Sequence, residues 1–128
     1  MKFKGEPLTL THVAVEVRNV DSEDTFAATF LVATESVDSM APASELRKIG
    51  IEPRGKRTYE LASGELRGYE YGLAEMRFLD EIIRTRIIFG EDDCKPRLGL
   101  VAFGSAGFYV DLKAKTVQKL LARPLYRH

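Results

Sequence analysis

The chain has little with which to do thiol or metal chemistry: among 128 residues there is one cysteine, Cys94, and two histidines, His12 and His128. A lone cysteine excludes an internal disulfide and suits a reducing compartment. The two histidines lie near opposite ends, and neither has metal-ligand spacing to a partner, so no metal or other cofactor is expected. His12 opens a β-prone run and reads as an exposed or core-edge side chain, not a catalytic base. Cys94 follows Asp92 and Asp93, whose negative charge raises a thiol pKa and argues against a reactive thiolate. The run Glu91-Asp92-Asp93 lacks the spaced oxygen ligands of a calcium loop and reads as a solvated acidic loop. No glycine-rich phosphate loop is present. Net charge is also missing: 19 basic and 19 acidic residues cancel. No overall field draws the chain to nucleic acid or to an anionic membrane. The distribution is less even, since Lys113, Lys115, Lys119, Arg123 and Arg127 face only Asp111 over the last eighteen residues. With sparse aromatic interleaving, that tail reads as a solvated strand end. No apolar run approaches the ~20 residues of a transmembrane helix. Met1 to Glu6 has no apolar core of a signal peptide, and the expected location is cytoplasmic.

What is there is a globular balance, 45% hydrophobic and 30% charged, in a length that suits one domain over residues 1–128. A chain of this size buries roughly 65–70% of its unfolded surface and needs no covalent staple. The hydrophobic pattern is that of many short strands. Val13, Val15 and Val17 alternate within Thr11 to Arg18, the period of a half-buried strand. The polar turn Asn19 to Asp24 leads to a second strand over Thr25 to Ala33. One helix is expected over residues 42–49, with Pro42 at its first position, Leu46 and Ile49 on one face and Gly50 as its C-terminal stop. Arg57 to Leu61 and Arg67 to Tyr71 flank Ala62-Ser63-Gly64-Glu65 and predict a protruding hairpin. Leu73 to Leu79 and Ile82 to Phe89 are two further strands joined at Asp80-Glu81. Beyond the acidic loop, Leu98 to Leu100 predicts a short strand and Val101 to Ala106 a helical turn closed by Gly107. Phe108 to Leu112 and Thr116 to Leu121 predict a last hairpin. The class is mostly β, with no repeat or linker.

The order of these elements carries a resemblance. The apolar strand Phe30-Leu31-Val32 runs into Ala33-Thr34-Glu35-Ser36-Val37-Asp38-Ser39-Met40, followed by the short helix, the hairpin, Arg97-Leu98-Gly99-Leu100, and Gly107-Phe108-Tyr109-Val110-Asp111. From about Thr11 to Leu120 this order resembles the bacterial retropepsin-like proteins of the aspartic protease clan. The resemblance implies a small closed antiparallel β-barrel with a flap hairpin, acting as a homodimer. It also implies a strand delivering Asp-Thr-Gly-Ala, supported from behind by a hydrophobic-hydrophobic-Gly motif. In this sequence the catalytic motif falls on Ala33, Thr34, Glu35 and Ser36. The aspartate is therefore replaced by alanine, and in a symmetric dimer that one change removes both carboxylates of the proton-sharing dyad.

Glu35 stands where the motif glycine allows close backbone approach to the two-fold mate, and two such carboxylates near an axis would repel or share a proton. Leu98 and Gly99 keep the supporting motif, with Arg97 at a place usually apolar. Thr34 matches the threonine whose hydroxyl bonds across the dimer. Asp38 resembles an acidic position near the substrate groove, a local turn cap being the alternative. Asp38 and the hairpin residues Ala62, Ser63 and Gly64 are the groove candidates. The resemblance thus implies a homodimeric pseudoenzyme whose groove takes a peptide or protein ligand by β-addition. Two alternatives stand beside it: an active peptidase in which Glu35 supplies the acid, and a non-catalytic interaction module with a closed groove.

Overall fold

The computed structural model describes residues 4–121. In chain order the elements are β1 (Lys4–Leu8), β2 (His12–Arg18), β3 (Thr25–Val32), β4 (Ser39–Pro42), α1 (Ala43–Lys48), β5 (Gly55–Glu60), β6 (Leu66–Phe78), β7 (Glu81–Gly90), β8 (Arg97–Leu98), α2 (Leu100–Ser105), β9 (Phe108–Asp111) and β10 (Thr116–Leu120). The class is mostly β, as the alternating patterns predict. Seven strands form one sheet in the order β2-β3-β8-β4-β7-β6-β5, and the far end of β6 returns to pair with β2 through Glu16↔Arg77 to Arg18↔Glu75. A second sheet, β1-β10-β9, is antiparallel.

The expected antiparallel pairing holds over most of the large sheet and gives way to parallel pairing at its centre. There β3 pairs with β8 in parallel, and β4 with β7 likewise. The reason is topological. The chain leaves β3, passes through residues 33–38 and returns as β4, while β8 slots between the two, parallel to β3 and antiparallel to β4.

Local chemistry accounts for most of the elements. In β2, Val13, Val15 and Val17 are buried while their neighbours face outward, and β2 zips to β3 over seven registered pairs. Helix α1 begins one residue later than expected, with Pro42 as its N-cap at φ −57° and ψ 132°. It ends as a Schellman motif: Gly50 N–H bonds Arg47 O at 2.9 Å and Ile51 N–H bonds Leu46 O at 3.1 Å, with Gly50 at φ +80°. Leu46 and Ile49 are both buried, sharing the expected face.

The two strands expected over 67–71 and 73–79 are one continuous thirteen-residue strand, β6. Its first half pairs with β5 and its second with β2, while β7 runs beside it from Tyr71 to Phe78. Gly72 does not interrupt it, because its bare α-carbon lies against Ile51, Glu52 and Phe89. The β6–β7 turn is Leu79-Asp80, both at positive φ, one residue ahead of the expected Asp80-Glu81.

Two strands, β1 and β4, carried no alternation from which to foresee them. The core joins Phe30, Leu46, Met76, Ile87, Leu98, Phe103 and Val117, with Phe103 edge-on to both Phe78 and Phe108. Among the described residues no helix is long and apolar enough to cross a membrane.

Candidate functional site

The residues quoted for the family motif sit where β3 ends. Ala33 N–H bonds Leu98 O at 3.0 Å, and Ser36 N–H turns back to Ala33 O at 3.1 Å. The loop is then stitched to α2, because Leu100 N–H bonds Ser36 O at 2.9 Å and Val101 N–H bonds Val37 O at 3.0 Å. Gly99 N–H is capped by Ser39 Oγ at 2.9 Å in a buried position. At this crossing the two backbones come so close that a Cβ on Gly99 would lie 2.7 Å from Asp38 C and O and from Val37 O. A glycine is therefore obligatory, and Leu98 beside it is wholly buried. Ala33 is buried with its methyl group, Thr34 and Ser36 are half-buried, and Glu35 is exposed.

In front of this crossing lies a groove of about 380 Å³. One wall is the loop, through Glu35, Val37 and Asp38. The other is the β5–β6 hairpin, through Arg57, Tyr59 and Tyr69, and Met40 and Ile88 contribute apolar surface between them. The expected hairpin residues are corrected here. Ala62, Ser63 and Gly64 form an exposed tip outside the groove, where Gly64, at φ +85°, has open space around it. The wall is made instead by the hairpin's stem, because the strands of β5 and β6, not their turn, lie over residues 35–38.

Asp38 is the most engaged polar group of the loop. It is not a turn cap. Its Oδ2 accepts a 2.6 Å hydrogen bond from Tyr59 Oη, and its Oδ1 lies 3.6 Å from Arg86 Nη1. The side chain is only 4% exposed, and its Oδ1 has no hydrogen-bond donor among the described residues. Burial, together with the Asp38 carboxylate it donates to, pushes the Tyr59 phenol up to about 12. Arg86 and Arg57 both lie over the Tyr71 ring, at 4.9 and 5.4 Å from its centroid. Sequence reasoning missed Tyr59, Arg57 and Arg86. Their only signal was position, polar or aromatic residues alternating on strands that flank the loop.

Of the remaining residues singled out in the sequence, one joins the groove and the others lie elsewhere. Arg97 is exposed and does line the groove, in β8. His12 is exposed, with Nδ1 3.1 Å from Thr11 Oγ1, and His128, Arg123 and Arg127 lie outside the described residues. Lys113 and Lys115 are exposed in the β9–β10 turn, while Lys119 reaches Glu81 at 3.2 Å. The Cys94 thiol is pushed up first by burial and then by Glu91, the neighbouring aspartates adding less.

The acidic loop is structural, not merely solvated. Asp92 Oδ1 accepts the Ser44 N–H at 3.0 Å, serving the helix start that Pro42 cannot cap. Glu91 Oε1 accepts both Arg67 Nη1 and Tyr69 Oη at 2.9 Å. Among the described residues no group of histidine, cysteine and carboxylate side chains could hold a metal ion. No family model and no curated protein sequence matches this chain.

Proposed function

We propose that this chain is a retropepsin-like aspartic-protease homologue that has lost hydrolysis and retains a groove for an extended peptide or protein segment. The observation that carries the reading is Ala33. It sits at the end of β3, bonded to Leu98 on the obligatory Gly99 crossing, and offers a methyl group where the resemblance calls for the catalytic carboxylate. The arrangement around it supports the fold side of the proposal. A strand enters the motif loop, a Leu-Gly pair backs that loop, a hairpin stands opposite, and the large sheet returns from β6 to β2 as a closed retropepsin-like barrel requires. An extended segment in such a groove binds through backbone hydrogen bonds and side-chain pockets, neither of which needs a catalytic acid.

Within one chain the loop's two acids do not make a dyad. Glu35 is exposed at the groove, and Asp38 is already held by Tyr59 and Arg86. Two carboxylates sharing a proton must lie about 3 Å apart. The homodimer that would bring a second Ala33-Thr34-Glu35 to a two-fold axis rests on the resemblance alone, and sedimentation at tens of micromolar tests it. The function is tested by assaying the purified protein against a peptide library at acid pH. No cleavage is expected from the unmodified chain, and the double change Ala33→Asp with Glu35→Gly is expected to create acid-optimum activity. Hydrolysis by the unmodified protein that disappears on Glu35→Gln would overturn the reading in favour of an active peptidase. Saturable binding of a library peptide at the groove, weakened by Val37→Arg, separates a binding groove from a closed module.

A further inference from the structure

The strand β5 ends the large sheet. It pairs with β6 on one side, and among the described residues no strand pairs with its other side. Register decides which backbone groups that edge offers. Leu61 N–H bonds Glu65 O at 2.8 Å at the hairpin turn, and pairing continues through Tyr59↔Arg67 and Arg57↔Tyr69. By the alternation of an antiparallel ladder, Tyr59 and Arg57 bond inward, while Lys56, Thr58 and Glu60 turn their N–H and C=O outward. An open edge of this kind is a template for another extended chain.

The edge is also cationic at one end. Arg54, Lys56 and Arg57 are exposed, and none has a carboxylate within ion-pair distance among the described residues. They are distributed over both faces of the strand. Arg57 lines the groove described above, whereas Arg54 and Lys56 line a hollow of about 570 Å³ on the opposite face. Gly68 carries no side chain on that face, whereas the bare α-carbon of Gly55 lies against the Tyr71 ring on the groove side. The Lys56 stem lies across Gly68, its Cε 2.9 Å from where a Cβ would stand. Of the acids nearby, Glu70 in the hollow is paired with Arg47 at 3.2 Å, the exposed Glu52 lies with Arg54 in the neighbouring hollow ahead of the strand, and Glu60 marks the far end.

We propose that the outer edge of β5 is a docking site for an acidic extended peptide, added as an eighth strand. Its acidic side chains alternate between Arg57 on one face and Arg54 and Lys56 on the other. Glu60 repels acid at the opposite end, so the acidic part of the ligand lies against residues 54–57. This site shares Arg57 with the groove, but Arg54 and Lys56 do not line the groove, so a change at those two residues reads the edge and not the groove. Backbone pairing supplies the affinity and charge the selectivity.

The test uses a fluorescein-labelled octapeptide with four consecutive glutamates flanked by valines, which in a strand presents acids to both faces, read by anisotropy against the full chain. Saturable binding is expected, weakening as salt is raised. A roughly tenfold loss is expected for the double change Arg54→Glu with Lys56→Glu, whose fold is checked by circular dichroism. The same peptide with alternate backbone nitrogens methylated keeps its charge and loses its ladder, and is expected not to bind. The ligand-side change leaves the protein intact, so it holds even if the variant misfolds. The proposal is overturned by equal binding of the methylated peptide, which would mean adhesion by charge alone, by equal binding of the lysine-for-glutamate peptide, or by no saturable binding up to about 1 mM, a concentration worth only about 4 kcal/mol of binding. Self-association abolished by the same double change would also overturn it, in favour of a second copy of this chain at the edge.

Discussion

The two walls of the groove are built on different principles. The motif loop is fixed by main-chain bonds to β8 and α2, by the Ser39 cap, and by a backbone crossing with no room for one carbon on Gly99. The hairpin opposite has its own ladder, but it reaches the rest of the fold near the groove through side chains. Tyr59 bonds Asp38, and Arg67 and Tyr69 bond Glu91. A wall fixed by packed backbone moves only when the domain unfolds. A wall tied by a few half-exposed side chains opens locally at a fraction of that free energy. The loop is thus the rigid wall of the groove, and any adjustment to a ligand falls to the hairpin.

The sharpest way to break that contrast is at the crossing. Gly99→Ala is expected to destabilise the whole domain by about 2–3 kcal/mol, since the added methyl meets main-chain atoms that cannot rotate away. Urea unfolding followed by fluorescence measures it, and amide protection should fall in both walls together. A loss confined to the hairpin would reverse the assignment of the rigid wall. Tyr59→Phe should cost less, about 1–2 kcal/mol, because it leaves a buried carboxylate oxygen of Asp38 without its donor. Its signature is local. Hydrogen exchange should rise over residues 55–71 while Leu98 and Gly99 keep their protection.

The smallest effect concerns pH and sets the two ties apart. With the Tyr59 phenol raised to about 12, the folded state holds its proton more tightly than the unfolded chain does. The stabilisation is then complete below pH ~10 and is lost as pH rises through about 12. Glu91 has the opposite sign. Its own backbone N–H, then Tyr69 and Arg67, hold its carboxyl below the usual range, so its contribution is present above the ordinary glutamate pKa and fades as pH falls through the lowered value. Glu91→Gln should cost no more than about 0.5 kcal/mol at neutral pH, as suits exposed partners. It should also remove part of the acid-side slope and leave the alkaline side unchanged.

Much of the architecture was legible in residue order. The β2 valines, the Pro42-to-Gly50 helix, the Ser63-Gly64 hairpin tip and the Gly107 stop each carry a local reason for their conformation, and period and turn chemistry act over a few residues. The places where expectation slipped are those where distant chain arrived. β4 has no alternation of its own and exists because β7 and β8 flank it. β6 runs unbroken past Gly72 because three strands support it along its length.

For the site, the sequence by itself determined that no carboxylate stands at position 33 and that Glu35 and Arg97 bring charge to residues 33–36 and 97–100. Tertiary structure decided which side chains face those residues. It moved the groove wall from Ala62–Gly64 to Arg57, Tyr59 and Tyr69, and it joined Asp38 to Tyr59 and Arg86, and Asp92 to the start of α1. The physical reason is range. Backbone preference and side-chain period are set by neighbours a turn or a pleat away. A hydrogen bond between residues 21 or 48 apart in the chain exists only once the sheet has brought its strands together.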